Sequence, residues 1–378
     1  YKLVFKGADS LSAATIPKLG LASSFPSSMN STEYVYSLVA LLQAKGYVTA
    51  SIDSLQTKGD TSFIQLYTGN LYRWAALTAS GVEEKLLDAV GWRPKMFDNK
   101  PMDFSQVQTW QERFLSQLEN TGYPFAKVFL DSFQLDEDKV TALLKVNKGP
   151  LYKIDSIRVY GSAKIANNYL QRYLDIPNGS IYSKEKLLRI NKKIRELSYV
   201  EEEKPADLTM LGTGSVLNMY LKQRKSSQIN ILVGFLPNND QLATKKMLIT
   251  GEGNLNLKNA LGSGETIGLN FQALQVESQR LNFLYQHPYL FRSPFGLDFA
   301  FDMFRKDSSF VNVNFQIGAQ YVLSTNQAGK VFFQRFSTIV NQGGVNGPQV
   351  IQTRRLPAAA DVSSMAAGVD YEFNNTDY

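Results

Sequence analysis

The chain has 378 residues, a net charge of +6, 44% hydrophobic and 20% charged residues, one His and no Cys. Disulfide scaffolds, Cys-ligated zinc, iron–sulfur clusters and thiol chemistry are excluded, and so is any multi-His metal site. The charge is too modest to argue for nucleic acid, and the absence of thiols fits an oxidising compartment.

No stretch reads as a spanning helix, which needs roughly 20 consecutive apolar residues. The longest uncharged run of the second half, Ser308 to Gly329, is full of Asn and Gln. The N-terminus has no basic segment followed by an apolar core, which fits a cytosolic chain or one whose leader has been removed. Composition shifts near Ser226. Residues 1–226 carry 29 Lys+Arg and 23 Asp+Glu, and residues 227–378 carry 11 of each. The second part replaces charge with Asn, Gln, Ser, Gly and aromatics.

In chain order, Lys2 to Phe5 reads as a strand, Ser23 to Ser31 as a Ser-rich loop and Thr32 to Ala44 as a helix capped by Gly46. Val48 to Leu55 and Ser62 to Tyr67 read as a strand pair. Then Gly69-Asn-Leu-Tyr72 opens a second module, with a strand at Trp74–Leu77 and a short helix at Glu83–Val90. Asp103 caps a long helix whose apolar face is Val107, Trp110, Phe114 and Leu118. Strands at Ala126–Leu135 and Lys139–Asn147 flank the acidic turn Asp136-Glu-Asp138.

Gly149-Pro-Leu-Tyr152 repeats the boundary motif and opens a third module. It reads as a strand (Tyr152–Tyr160), a helix (Ala163–Leu174), and a longer helix capped by Ser183 with Leu187, Ile190, Ile194 and Leu197 on one face. Strands Val200–Met210 and Ser215–Arg224 close it around Gly212-Thr-Gly214. The segments expected are therefore 1–70, 71–150 and 151–226 as three modules of strand, helix, helix, strand, strand. Three unrelated α+β domains are the alternative.

From residue 227 the pattern changes to a period of two. Ile267, Leu269, Phe271 and Ala273 alternate with polar positions, as do Leu297, Phe299, Phe301 and Met303. The same holds for Val311, Val313, Phe315 and Ile317, and for Met365, Ala367, Val369, Tyr371 and Phe373. Further strands are expected at Gln228–Leu236, Met247–Asn256, Arg280–Tyr289 and Lys330–Val340, about eight in all. A soluble sandwich alternates too. The Phe-rich apolar faces, and Tyr285, Tyr289, Phe291 and Tyr321 near strand ends, favour a membrane barrel with an aromatic girdle and a wet lumen.

Catalytic signatures are missing: no Walker loop, no nucleophile elbow, no His-Glu-x-x-His. The glycine pairs Gly251-Glu-Gly253 and Gly262-Ser-Gly264 read as hairpin turns. His287 sits at a strand end without a nearby nucleophile, and Glu201-Glu-Glu203 as a solvated edge. Lys222, Arg224 and Lys225 precede the first barrel strand, where they serve solubility or touch membrane headgroups. An enzyme is the least expected class, and no cofactor or metal is expected.

Modules of this kind leading into a barrel resemble POTRA domains, and the whole chain resembles the BamA/TamA superfamily of outer-membrane assembly factors. The third module carries the clearest match: Tyr152-x-Ile154-x-x-Ile157-x-Val159-x-Gly161, then Gly179-x-x-Tyr182, then Leu197-Ser-Tyr199-Val200. His287-Pro-Tyr-Leu-Phe291 resembles an element of early barrel strands. Three modules are more similar to TamA than to BamA or the two-partner secretion transporters.

Family barrels have 16 strands and a Val-Arg-Gly-Phe type loop. About eight strands and no such loop are present here, so the resemblance implies the N-terminal half of a barrel over residues 227–378. It also implies an outer-membrane location in a Gram-negative bacterium, with the modules in the periplasm.

The partners implied are unfolded outer-membrane polypeptides, periplasmic accessory proteins and outer-membrane lipids. The implied mechanism is strand addition at exposed module edges, represented by Val48, Val128 and Leu208, and at a lateral seam formed by Ile229, Ile231 and Val233. Polypeptide export through the barrel is the alternative, as is a passive pore or scaffold docking a periplasmic lipid-transfer partner.

Overall fold

The computed structural model describes residues 1–93, 95–237, 247–275, 278–306, 309–324, 327–340, 347–355 and 361–373. It forms two compact units, Tyr1–Tyr152 with Ile181–Lys184, and Lys153–Ser180 with Glu185–Tyr378.

The first unit begins with β1 (Lys2–Gly7), α1 (Ser10–Thr15), a 3-10 turn (Ile16–Lys18), α2 (Ser28–Ala44), β2 (Ser51–Lys58) and β3 (Thr61–Tyr67). The sheet order is β1-β3-β2, with β1 parallel and β2 antiparallel to β3. Leu38 and Leu42 of α2 bury against Leu3, Ile64 and Leu66. Helix α2 starts earlier than its apolar period suggests. Ser27 Oγ accepts the Asn30 amide at 3.2 Å, so Ser28 to Ser31 belong to the helix rather than to a Ser-rich loop. The short α1 has its own cap, Asp9, which accepts the Ser12 amide at 2.7 Å.

The same unit continues with β4 (Arg73–Ala79), α3 (Glu84–Val90), α4 (Phe104–Asn120), β5 (Lys127–Asp136) and β6 (Lys139–Asn147), in sheet order β4-β6-β5. Asp103 caps α4 by accepting the Ser105 amide at 2.9 Å. Val107, Phe114 and Leu118 are buried with Trp74 and Leu144, while Trp110 is only partly covered. The segment after α3 adds Trp92 and Phe97 to this core, with Trp92 edge-on to Trp110 at 5.4 Å.

The second unit opens with β7 (Lys153–Tyr160), α5 (Asn167–Leu174), β8 (Ser180–Ile181), α6 (Lys184–Leu188), α7 (Ile190–Glu196), β9 (Val200–Leu211) and β10 (Gly214–Gln223). The order is β8-β7-β10-β9. Helix α5 begins four residues later than the expected Ala163. The expected long helix is interrupted at Arg189, where φ is −82° and ψ −11°. Bonds from Arg189 N to Glu185 O and from Lys193 N to Arg189 O carry the ladder across. Ile190, Ile194 and Leu197 therefore still share the buried face.

An antiparallel meander follows: β11 (Gln228–Pro237), β12 (Met247–Lys258), β13 (Thr266–Gln275), β14 (Ser278–His287), β15 (Phe295–Lys306), β16 (Phe310–Ser324), β17 (Gln327–Val340), α8 (Gly347–Thr353) and β18 (Val362–Phe373). Each strand pairs with its sequence neighbour, giving one sheet of eight strands among the described residues, with β11 and β18 at its edges. Gly251 and Gly253 lie inside β12, opposite Val233 and Ile231, and form no turn. Gly262 and Gly264 do lie in the β12–β13 turn, both with positive φ. The polar segment 343–360, which reads from the sequence as the longest loop of the second part, contains α8. Its residues 343–346 and 356–360, the turn residues 238–240 and the tail 374–378 lie outside the described residues.

Candidate functional site

Each small sheet has two edge strands: β1 and β2, β4 and β5, and the two-residue β8 with β9. β1 and β4 are bridged on their outer sides at Ser24 and Pro101, which leaves β2, β5 and β9 the more open edges among the described residues. Such an edge offers free N–H and C=O groups to an incoming strand. Val128 lies in β5 and Leu208 in β9. Val48 does not lie in β2, contrary to the expectation. The chain turns after α2, with Tyr47 N bonded to Leu42 O and Ala50 N to Tyr47 O. That turn delays the strand to Ser51 and packs Val48 against the core around Trp74.

The edges differ in chemistry. β9 carries Glu201, Glu202, Glu203, Lys204 and Pro205, which blunt it. Its Asp207 accepts from Asn218 Nδ2 at 2.7 Å and from the Tyr220 hydroxyl at 2.9 Å, which holds that carboxyl below its usual range. β5 exposes Phe129, Phe133 and Leu135. A bulge lies between Asp131 and Gln134, and Ser132 there is held at φ +55°.

The large sheet has two unlike faces. Ile229, Ile231 and Val233 of β11 are 66%, 76% and 60% exposed, and Ile249, Ile317, Val331, Phe333, Met365 and Val369 are exposed on later strands. An apolar face this broad is unstable in water and marks contact with another apolar phase. The opposite face carries Asn, Gln, Asp and Glu. There Lys330 Nζ lies 2.7 Å from the buried Asp298, which also accepts from Gln286 Nε2 at 2.8 Å. The stem of Lys330 passes beside Gly318, where an added Cβ would lie 3.0 Å from the Lys330 Cε, a tight contact. Strands of ten to fifteen residues are long enough to span a bilayer. Among the described residues, no helix is long and apolar enough to do so.

The third module and this sheet meet within one unit. The β12–β13 turn is braced internally: Asn259 N bonds to Glu265 O, Gly264 N to Asn259 Oδ1, and the fully buried Glu265 accepts the Leu261 and Ser263 amides. Gly262 O accepts the Ala166 amide at 2.6 Å, just ahead of α5, and Asn259 Nδ2 donates to Lys164 O at 2.8 Å. The β14–β15 turn brings Tyr289, at φ +54°, against Tyr169 with ring centroids 5.7 Å apart. Tyr169 and Tyr199 share a 2.7 Å hydrogen bond, and the Tyr173 hydroxyl donates to Lys193 O. Burial pushes all four tyrosines up, Tyr289 to about 12. Sequence reasoning missed this joint; the glycine pair at 262 and 264 was its visible trace.

Of the basic residues before β11, Lys222 sits in β10, 3.4 Å from Glu201. The Arg224 amide bonds to Tyr199 O, and the side chains of Arg224 and Lys225 are exposed. His287 ends β14 and stacks on Tyr285 at 6.2 Å. Among the described residues no cluster could hold a metal ion.

No family model matches the sequence, and no curated protein matches it. Several solved structures are similar. A BamA from Haemophilus ducreyi lacking POTRA domains 1–3 shows 15% identity and a TM-score of 0.47 over 82% of this chain and 60% of that one. CdiB from Escherichia coli shows 12% identity and a TM-score of 0.45 over 91% and 63%, and CdiB from Acinetobacter baumannii 12% and 0.43 over 81% and 59%. The chain spans less than two thirds of each of these solved chains. Its own topology is a series of strand–helix–helix–strand–strand modules running into an antiparallel sheet with one apolar face, an α+β and barrel-strand arrangement, and nothing among the described residues singles out TamA.

Proposed function

We propose that the chain is an outer-membrane factor of a Gram-negative bacterium that receives unfolded polypeptide by strand addition and passes it into or across the membrane. The observation that carries this reading is the apolar, outward face of β11–β18 ending in β11, an edge strand whose Ile229, Ile231 and Val233 are exposed. Lipid covers the apolar face, and the open side of β11 supplies the hydrogen-bonding groups that an incoming strand lacks in hydrocarbon. The free edges of β2, β5 and β9, in modules facing the periplasm, capture clients earlier. Arg224 and Lys225 lie where they meet headgroups. Nothing in this reading requires catalysis.

Export through the barrel is the second reading, and the polar face of the sheet favours it. Depletion of the protein separates the two. Accumulation of several unfolded barrel proteins in the periplasm supports insertion. Loss of one secreted polypeptide with other barrels intact supports export. A stable open conductance with neither defect overturns both in favour of a pore or of a scaffold that docks a periplasmic lipid-transfer partner.

A further inference from the structure

We propose that the polar face of the large sheet holds a binding site for a neutral, hydroxyl-bearing chain, an oligosaccharide. The strand registers place Asn230 opposite Asn254, Asn254 opposite Asn270, Asn270 opposite Asn282, Asn282 opposite Asp302 and Asp302 opposite Asn314. One row of amide or carboxylate groups thus crosses six successive strands. A cavity of about 330 Å³ lies on this face, lined by Asn254, Asn256, Asn270, Asn282, Asp302 and Asn314 among others.

Amide ladders ordinarily stabilise a sheet by bonding rung to rung. Among the described residues, no hydrogen bond joins two rungs of this row, and Asn314 instead accepts from Gln334 at 2.9 Å. The amide oxygens of Asn256 and Asn282 are shielded from solvent and accept no hydrogen bond within the described structure. Each Asn side chain offers one acceptor group and two donors, which suits hydroxyl groups that both give and accept.

Charge and spacing favour one ligand class. Asp302 is the single charged rung, so the row exerts little pull on a charged polymer. Neighbouring strands lie about 4.7–4.9 Å apart, and one pyranose unit advances a glycan chain by a similar length. The two-residue repeat of an extended peptide, roughly 6.8 Å, falls out of step with the row.

The test is calorimetric titration of the full chain, folded in detergent micelles, with maltohexaose and in parallel with a neutral Gly/Ser hexapeptide. Saturable maltohexaose binding is expected, weakened at least about tenfold by Asn270→Leu with Asn282→Leu while the β-sheet circular dichroism signal stays unchanged. If that double variant does not fold, Asn254→Ser serves, with a smaller loss expected. Absence of saturable binding by the wild-type chain, equal binding by a folded variant, or tighter binding of the hexapeptide overturns the proposal.

Discussion

A methyl group added to Gly264 would lie 2.2 Å from the ring of Tyr169. The glycine is in the β12–β13 turn and the tyrosine on α5, so this contact presses the base of the barrel sheet onto the third module. Gly264 also sits at φ +75°, where an L side chain is strained. Gly264→Ala should lose about 1–2 kcal/mol from the backbone conformation alone, with the displaced ring adding to it. Hydrogen exchange should then accelerate at Ala166 and in the turn 259–265, while α4 keeps its protection.

The tyrosines at this joint make it sensitive to alkali. Burial raises Tyr169, Tyr173, Tyr199 and Tyr289, the last to about 12. The folded state holds its phenolic protons more tightly than the unfolded chain, whose tyrosines ionise near pH 10. Stability is therefore complete below about pH 10 and falls as pH rises toward 12. For Tyr289 the loss is about 2–3 kcal/mol at its limit. Urea unfolding between pH 8 and 12 should show this decline, and Tyr289→Phe should make it shallower by the Tyr289 share while Tyr169, Tyr173 and Tyr199 keep the rest.

Ile317 and Gln316 are neighbours on β16 with opposite surroundings. Ile317 is on the exposed apolar face and Gln316 on the polar one. If lipid covers the apolar face, Ile317→Arg costs about 2–4 kcal/mol near the bilayer midplane, whereas Gln316→Arg costs little. Folding titrations into phospholipid vesicles measure the difference. Equal effects from the two variants would count against a membrane location for this face.

The alternation that defines β13, β15, β16 and β18 was plain in the sequence because each residue of a half-exposed strand reports its own face. Module order was legible for a similar reason: Val107, Phe114 and Leu118 repeat at helical spacing, and Asp103 caps the helix. Contacts between distant segments were not legible. Glu265 and Asn259 carry no local pattern, and Asn259 meets Lys164 across 95 positions; Tyr289, expected in an aromatic girdle, packs instead on Tyr169 of the third module. Helix α1, with only six residues, leaves too short a period to read. Val48 reads as the start of a strand, but the turn fixed by Tyr47 and Ala50 delays the strand to Ser51.

The ion pair between Lys330 and Asp298 is deeply set in the polar face, with the Asp298 side chain only 6% exposed. Removing one partner strands a charge. Lys330→Met should cost about 3–5 kcal/mol, and Lys330→Met with Asp298→Asn should recover most of it, since Gln286 can still donate to the amide oxygen. A double-mutant cycle by urea unfolding gives the coupling. A loss in the double variant equal to the sum of the two single losses would mean that the pair does not act as a unit.

Ile231 tests the role of β11 as a receiving edge. It stands opposite Gly253, mid-way along the pairing of β11 with β12, and no Cβ at Gly253 would meet another atom within 4 Å. Side-chain packing there is slight, so a change at Ile231 acts mainly through the backbone. Ile231→Pro removes one N–H from the edge strand and bars regular pairing at that point. Ile231→Val keeps the backbone and the apolar face. Complementation of a depletion strain should fail with the proline and succeed with the valine, at equal amounts of folded protein in the outer membrane. Full complementation by Ile231→Pro would show that client strands do not pair with β11.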